Sequence, residues 1–190
     1  MPEPERIAAA PAEVPSRTPE EAALVAVQAA LADRQGVLGV ARAMSHFGEH
    51  SLGWMAVAAT GALASPRRRR EWVTAGVGAF LAHAAAVVIK RVVRRTRPAH
   101  PAIAVNVGTP SRLSFPSAHA TSTTAAAILL GRVTGAPLPA LLVPPMALSR
   151  MVLGVHYPSD VAAGVLVGAL VAKGTEAVSV RLDRRNRGDR

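Results

Sequence analysis

Long apolar segments with basic residues at their ends are the feature that most limits how this chain can fold. Residues 72–89 contain no Asp, Glu, Lys or Arg, and basic clusters border them at 67–70 and 90–97. A helix needs about 20 mostly apolar residues to cross the hydrocarbon core of a bilayer, and basic residues collect in the loops beside such helices. The pattern therefore predicts a protein that is embedded in a membrane.

Similar apolar runs recur along the chain and predict an all-α integral membrane bundle with about five transmembrane helices. The run at 52–64 approaches spanning length only if residues 48–51 extend it. The more polar segment before it predicts one amphipathic interfacial helix, or two with a break near Gly36. The expected spans lie at residues 52–64, 72–89, 119–133, 138–152 and 161–172.

Composition divides the chain into four predicted regions. Pro, Ala and Glu dominate its beginning, which is typical of a disordered tail, and Arg dominates its end. The regions are a disordered tail at 1–19, an amphipathic region at 20–47, a membrane domain at 48–174 and a solvated basic tail at 175–190.

The net charge of +10 predicts an anionic partner, either membrane lipid head groups or an anionic substrate. We expect no nucleic-acid partner, because the arginine clusters border apolar runs and aromatic residues make up 3% of the chain. The absence of cysteine excludes disulfide and thiol chemistry within this chain. Gly164 and Gly168 form a GxxxG pair, which favours close helix packing but leaves open whether it occurs within the chain or in a homo-oligomer.

Three short polar blocks stand out, because ionisable groups are costly inside a membrane and mark functional sites there. In the first block, Lys90 and Arg97 are seven residues apart, which places them on one helix face about 10 Å apart. Pro98 should end this helix at Arg97, since the residue before a proline avoids helical geometry. A plain basic cluster at the end of a span is the alternative, and it is our interpretation of the three other arginines between them.

The second block is FPSAH at 115–119. Proline is preferred at the first helical position, so a helix that begins at Pro116 would turn the free amides of Ser117, Ala118 and His119 outward. A helix N-terminus binds anions readily. Ser117 adds a hydroxyl group and His119 adds a titratable proton. A plain helix start with an interfacial histidine is the alternative.

The third block is SRMVLGVHYPSD at 149–160. Pro158 suits a first helical position, which puts Asp160 at the third, where a carboxylate can reach back toward the preceding loop. An Asp bonded to one nitrogen of His156 would fix the tautomer and leave the other nitrogen as a nucleophile or base. Arg150 can bind two phosphate oxygens at once. A plain N-cap and an interfacial histidine are the alternatives.

Together the blocks resemble the signature K-x6-RP, PSxH and SR-x5-H-x3-D of the PAP2 superfamily, which includes type 2 phosphatidic acid phosphatases, other lipid phosphatases and vanadium haloperoxidases. The resemblance covers about residues 50–172, with the motifs in the family's order and spacing, and implies a PAP2/haloperoxidase-like helical core. One departure is Ala118, where the family pattern has glycine. A methyl group is tolerable there if the backbone φ is negative.

The resemblance also implies a role for each site residue. His156 would attack phosphorus and form a phosphohistidine, Asp160 would orient and charge-stabilise it, and His119 would protonate the leaving oxygen and then activate water. No metal or other cofactor is implied, and the sequence has no carboxylate cluster to bind one. The implied phosphate ligands are Lys90, Arg97, Ser117, Ala118 and Arg150.

We therefore expect a multi-pass phosphatase of the bacterial plasma membrane that releases phosphate from a lipid-linked phosphomonoester. Residues 83–98 and 102–130 are also similar to an actinobacterial branch of the family, which implies a polyprenylphosphoryl phosphoribose of cell-wall arabinan synthesis as substrate. A polyprenyl diphosphate or phosphatidylglycerophosphate phosphatase is the alternative. A non-catalytic scaffold that binds anionic lipid is an alternative of another class. Loop charge does not decide which side of the membrane the site faces.

Overall fold

A computed structural model describes residues 16–188 of the chain, and its fold is all-α as expected. Within this range, the only β-type pairing is an isolated antiparallel bridge between Thr96 and Leu113. Most of the tail expected at 1–19, and the last two residues, lie outside the described residues. The helices are α1 (Pro19–Leu31), α2 (Val37–Gly48), α3 (Leu52–Ala64), α4 (Arg69–Val93), α5 (Ala118–Thr134), α6 (Leu138–Val152) and α7 (Pro158–Gly188).

The amphipathic region forms two helices with a break between them, which is the second of the two expected arrangements. A capping box begins α1: the Glu21 amide donates to Thr18 Oγ1 at 3.3 Å, and the Thr18 amide donates to Glu21 Oε2 at 2.9 Å. Gly36 precedes α2 with a φ of 82°, a left-handed conformation that glycine adopts at low cost. Both helices pack against α6, which holds them on the bundle.

Two helices, α4 and α7, are long and apolar enough to cross a membrane. Most of their apolar surface faces outward, since 28% and 22% of the two apolar windows are buried, and large side chains such as Val88 and Leu166 are exposed. Contiguous apolar exposure suits lipid-facing helices and not the core helices of a soluble domain. These helices indicate a membrane protein. The helices α3, α5 and α6 have 13, 17 and 15 residues, fewer than the usual 20 or so of a span.

The basic tail expected at 175–190 is helical in its described part, because α7 continues to Gly188. Two acidic side chains hold this part of α7 to the bundle: Glu176 pairs with Arg132 of α5, and Asp183 pairs with Arg70 of α4. The sequence prediction of a basic tail did not include these ion pairs. The ion pairs lie at the end of the bundle where α4 begins and α5 ends.

At the centre of the bundle, α5 packs against α4, α6 and α7, and its residues 120–127 are all buried. Two glycines let α7 approach it closely. A β-carbon on Gly164 would lie 2.7 Å from the Ser117 carbonyl oxygen, and one on Gly168 would overlap the Thr121 carbonyl oxygen. The GxxxG pair therefore serves packing within the chain.

The end of α4 differs from its prediction. The helix ends at Val93 and not at Arg97, because Arg94 turns into the left-handed region with a φ of 56°. The Arg94 amide closes the helix by donating to the Lys90 carbonyl oxygen at 2.9 Å. Lys90 and Arg97 therefore do not share a helix face, and the loop after α4 brings Arg97 back toward the helix end instead.

Candidate active site

The three polar blocks meet at one end of the bundle, around a cavity of about 360 Å³. The end of α4, the start of α5 and the connection from α6 to α7 lie at this end, because successive long helices run in opposite directions. The structure thus brings together residues that are up to 66 positions apart. The polar wall of the cavity contains Lys90, Arg97, His119, Arg150 and His156.

His156 lies in the loop between α6 and α7 and is 2% exposed. Its Nε2 lies 3.2 Å from Nη1 of Arg97, and its Nδ1 lies 3.6 Å from Oδ2 of Asp160. A guanidinium group only donates, so Nε2 is the acceptor and Nδ1 carries the proton that faces Asp160. Burial, followed by the charges of Arg97, Arg150 and Lys90, lowers the pKa of His156 well below its usual value. The ring is therefore neutral at pH 7.

Backbone carbonyl groups hold two of the cations in place. Lys90 Nζ donates to the carbonyl oxygens of Leu113 at 3.1 Å and Ser114 at 2.8 Å. Arg97 Nη1 donates to the Val155 carbonyl oxygen at 2.6 Å. Burial lowers the pKa of Arg97 to about 10, which leaves it protonated at neutral pH. Cations fixed before a ligand arrives need little reorganisation to stabilise its charge.

Arg150 is the cation with unused donors. Its side chain is 1% exposed and lines the cavity. Its Nε and Nη1 atoms have no hydrogen-bond partner within the described chain. Buried donors are rarely left unpaired in proteins, and an uncompensated buried guanidinium is strongly destabilising. The arrangement therefore favours an anion with several oxygens, which a guanidinium binds in a bidentate manner.

The start of α5 differs from its prediction at two residues. The helix begins at Ala118 and not at Pro116, because Ser117 is its N-cap and accepts from the Ala120 amide at 3.4 Å. The Ser117 amide donates to the Asp160 carbonyl oxygen at 2.9 Å. Ser117 is completely buried and does not line the cavity. Its expected contact with phosphate is therefore not supported, and it joins α5 to α7 instead.

Ala118 and His119 occupy the first two positions of α5, where backbone amides have no acceptor within the helix. Both line the cavity, and Ala118 does not have a positive φ, so its methyl group is accommodated. His119 Nε2 lies 2.8 Å from the Ser45 carbonyl oxygen of α2. A carbonyl oxygen only accepts, so Nε2 carries a proton. Nδ1 is then the nitrogen of His119 that can exchange a proton with a ligand.

Asp160 occupies the third position of α7 and is fully buried. Its Oδ2 accepts from the Tyr157 amide at 2.9 Å, which is the contact with the preceding loop that the position of Pro158 predicts. Its Oδ1 accepts from Arg95 Nη1 at 3.0 Å. Sequence reasoning assigned Arg95 to an ordinary basic cluster. Nothing in the sequence pattern separates it from the neighbouring arginines.

The cavity also has a polar wall from the N-terminal half, which the sequence analysis did not predict. Glu49 and His50, in the turn between α2 and α3, line the cavity together with His83 of α4. The turn is strained, with φ values of 50° at His50 and 64° at Ser51, and Ser51 Oγ fixes it by donating to the Ala79 carbonyl oxygen at 3.1 Å. Backbone strain of this kind is concentrated at functional sites. No periodic pattern signals such a turn.

This arrangement suits phosphoryl transfer. A neutral imidazole with an acceptor nitrogen, a second imidazole and three cations, two of them buried, line one cavity. Such a set acts by positioning and charge stabilisation. Among residues 16–188, no three His, Asp or Glu side chains converge in a way that would hold a metal ion.

Comparisons with known proteins agree with this chemistry. Decaprenylphosphoryl-5-phosphoribose phosphatase of Mycolicibacterium smegmatis is 78% identical over 145 residues, covering 76% of this chain and 81% of the relative. The protein of the same name from Mycobacterium tuberculosis is 69% identical over 159 residues, covering 84% and 90%.

A solved structure shares the fold: the transmembrane PAP2 type phosphatidylglycerolphosphate phosphatase from Bacillus subtilis has a TM-score of 0.65 and 21% identity, covering 84% of this chain and 86% of its own. The sequence profile described as PAP2 superfamily matches residues 71–183. Since this profile match spans more than half of the chain, and relatives named as phosphatases are 69% and 78% identical to it, the chain belongs to the PAP2 superfamily.

Proposed function

We propose that the protein hydrolyses decaprenylphosphoryl-5-phosphoribose to the lipid-linked ribose and inorganic phosphate. The observation that carries this proposal is that one cavity is lined by His156, whose Nε2 is an acceptor, and by Arg150, whose Nε and Nη1 have no partner within the described residues. The names of the relatives at 69% and 78% identity support the substrate.

In the first step, Arg150, Arg97 and Lys90 bind the phosphate oxygens together with the amides at the start of α5. Nε2 of His156 donates its lone pair to phosphorus, and the bond from phosphorus to the ribose oxygen breaks. His119 in its imidazolium form gives the proton on Nδ1 to the departing oxygen, which leaves as a hydroxyl group. Asp160 stabilises the charge that develops on His156 through the proton on Nδ1.

In the second step, neutral His119 takes a proton from a water molecule with the same Nδ1 atom. The water oxygen attacks phosphorus, and the bond from phosphorus to His156 Nε2 breaks. Inorganic phosphate leaves and both imidazoles return to their starting states. The Ser45 carbonyl oxygen accepts from His119 Nε2 at 2.8 Å. Nδ1 is therefore the nitrogen that gives and takes the proton in both steps.

The size and lining of the cavity support a substrate with a sugar phosphate. A phosphate ion alone would leave much of the 360 Å³ unfilled. Glu49 and His50 offer an acceptor and a donor for hydroxyl groups next to the phosphate site. Apolar side chains such as Val87 and Val107 also line the cavity, which suits the nearest part of a lipid chain.

We further propose that the protein is a multi-pass protein of the bacterial plasma membrane. The long helices α4 and α7 would span the bilayer, with α3, α5 and α6 completing the bundle between them. The exposed apolar side chains of α4 and α7 support this placement. The site would then lie near one membrane surface, where the phosphate of a lipid-anchored substrate resides.

Phosphate release by the purified protein tests the proposal. The panel contains decaprenylphosphoryl-5-phosphoribose, a polyprenyl diphosphate and phosphatidylglycerophosphate, each with and without EDTA. We expect the highest kcat/KM for the phosphoribose lipid and no loss of activity with the chelator. A higher kcat/KM for the diphosphate would contradict the proposed substrate. Loss of activity with EDTA would contradict a mechanism that needs no metal ion. Binding of anionic lipid without any turnover would favour a scaffold.

A further inference from the structure

Arg95, in the loop after α4, makes contacts in two directions. Its Nη1 donates to Asp160 Oδ1 at 3.0 Å and to Ser159 Oγ at 2.6 Å, and its Nη2 donates to Glu20 Oε2 at 2.5 Å. Its guanidinium carbon lies 4.1 Å from the centroid of the Tyr157 ring, a stacking contact that arginine makes better than lysine. Arg95 therefore links the carboxylate behind His156 to the N-terminal helix.

Glu20, on α1, holds the same group of residues from the other side. Its Oε1 accepts from the Ser159 amide at 3.0 Å, while its Oε2 accepts from Arg95. Burial opposes the ionisation of Glu20, but the hydrogen bonds from Ser159 and Arg95 outweigh it and lower its pKa. The positive end of the α7 dipole also favours a carboxylate there. Glu20 thus fixes α1 to the start of the helix that carries Asp160, although the two contacting residues are 139 positions apart.

We infer that Arg95 and Glu20 are positioning residues that hold Asp160, and through it the tautomer and orientation of His156. The inference rests on the proposed function, because the reaction at His156 is what they would affect. Arg95 does not line the cavity, so it does not touch the substrate. Within the described chain, the ion-pair partners of Asp160 are Arg95 and His156.

The physical reason is the burial of Asp160, which is 0% exposed. A buried carboxylate that loses a charged partner turns toward other donors or takes up a proton. Either change removes the acceptor that faces Nδ1 of His156. The preference for a protonated Nδ1, which Arg97 also supports, becomes weaker, and the charge that would stabilise the reacting ring is lost. The helix α1 then helps to position the groups that react, through Glu20 and Arg95.

Four variants of the full chain test the inference with the phosphoribose lipid as substrate. We expect Arg95→Gln to lower kcat by about 10–100-fold, the worth of a hydrogen bond to a charged group, with KM within about twofold of the wild-type value. Arg95→Lys should recover part of kcat, because an ammonium group can pair with Asp160 without also reaching Glu20. Glu20→Gln should lower kcat by a smaller factor. The double variant with Arg95→Gln and Glu20→Gln should have the same kcat as Arg95→Gln alone, because the two residues act together.

Arg94→Gln is the matched control, because Arg94 is an exposed neighbour of the same charge, and it should leave kcat unchanged. A wild-type kcat in Arg95→Gln would overturn the inference, and so would a rise in KM with kcat unchanged. If Arg95→Gln does not fold, as judged by helical circular dichroism and a monodisperse elution profile, Arg95→Lys and Glu20→Gln test the inference by the same split between kcat and KM. Wild-type protein that turns over none of the lipid phosphates would instead overturn the proposed function.

Discussion

Nε2 of His156 lies 3.2 Å from Nη1 of Arg97, so the nitrogen that we propose as the nucleophile faces a cation. The neighbouring positive charge discourages protonation of Nε2, whose lone pair accepts the hydrogen bond from Arg97. A bound phosphate would offer Arg97 a charged acceptor in place of the imidazole nitrogen, and a hydrogen bond to a charged oxygen is stronger than one to a neutral nitrogen. Substrate binding would thus free the nucleophile at the moment when phosphorus arrives beside it.

The two histidines should fail at different steps. His156→Ala is expected to lower phosphate release by at least ~10³-fold, because no nucleophile replaces the imidazole. His119→Ala lacks the proton donor, which p-nitrophenyl phosphate does not need, but it also lacks the base for the second step. With that substrate, His119→Ala should give a burst of one nitrophenol per protein and an acid-labile phosphohistidine. A burst in His156→Ala, or none in His119→Ala, would contradict the assigned roles.

Arg150 should be needed for activity but not for the stability of the fold. Its Nε and Nη1 lack partners within the described residues, so Arg150→Met should raise or maintain the thermal unfolding temperature in detergent. The same change should lower kcat/KM by about 10²–10³-fold, as expected when a donor to the transition-state oxygens is lost. Orthovanadate should stabilise the wild-type protein against unfolding but not this variant. A lower unfolding temperature in Arg150→Met would show that the guanidinium has partners that stabilise the fold.

The sequence singled out ionisable residues that the structure brings to one cavity, whereas the contacts that support them were not predictable. Lys90, His119 and His156 stand out because ionisable groups are costly in apolar surroundings, and their spacing matches a known signature. The contact between Glu20 and Arg95 joins residues 75 positions apart and depends on how α1 docks. No local pattern contains that information.

Local rules also failed where two residues compete for one role. Both Pro116 and Ser117 suit the start of a helix, and Ser117 becomes the N-cap. Pro98 disfavours helical geometry at Arg97, but the helix ends earlier because Arg94 takes a left-handed conformation. The residues that follow pair with the loop before α5, where the Ser114 amide donates to the Arg95 carbonyl oxygen at 2.8 Å. Helix boundaries therefore depend on tertiary contacts that sequence periodicity does not report.

The neutral state of His156 can be tested by titration. Burial and the charges of Arg97, Arg150 and Lys90 lower the pKa of this ring. The folded state therefore binds a proton at lower pH than the unfolded state, and protein stability should fall as the pH drops below the usual histidine value of about 6.5. In spectra of protein labelled with ¹⁵N-histidine, the signals lost in His156→Asn should remain those of a neutral ring between pH 7.5 and pH 6. A half-protonated ring near pH 6.5 would contradict this prediction.

Glu49 should determine preference for the sugar without contributing to the chemical step. Its carboxylate lines the cavity from the turn between α2 and α3, where it can accept hydrogen bonds from ribose hydroxyl groups. We expect Glu49→Ala to lower kcat/KM for the phosphoribose lipid by about 10–100-fold, while the turnover of p-nitrophenyl phosphate, which has no such hydroxyl groups, stays within about twofold. Glu71→Ala is the matched control, because Glu71 pairs with Arg68 at the other end of α4 and should affect neither substrate. Equal losses of activity on both substrates would assign Glu49 to the phosphate site itself. No loss on either substrate would show that Glu49 does not contact the substrate.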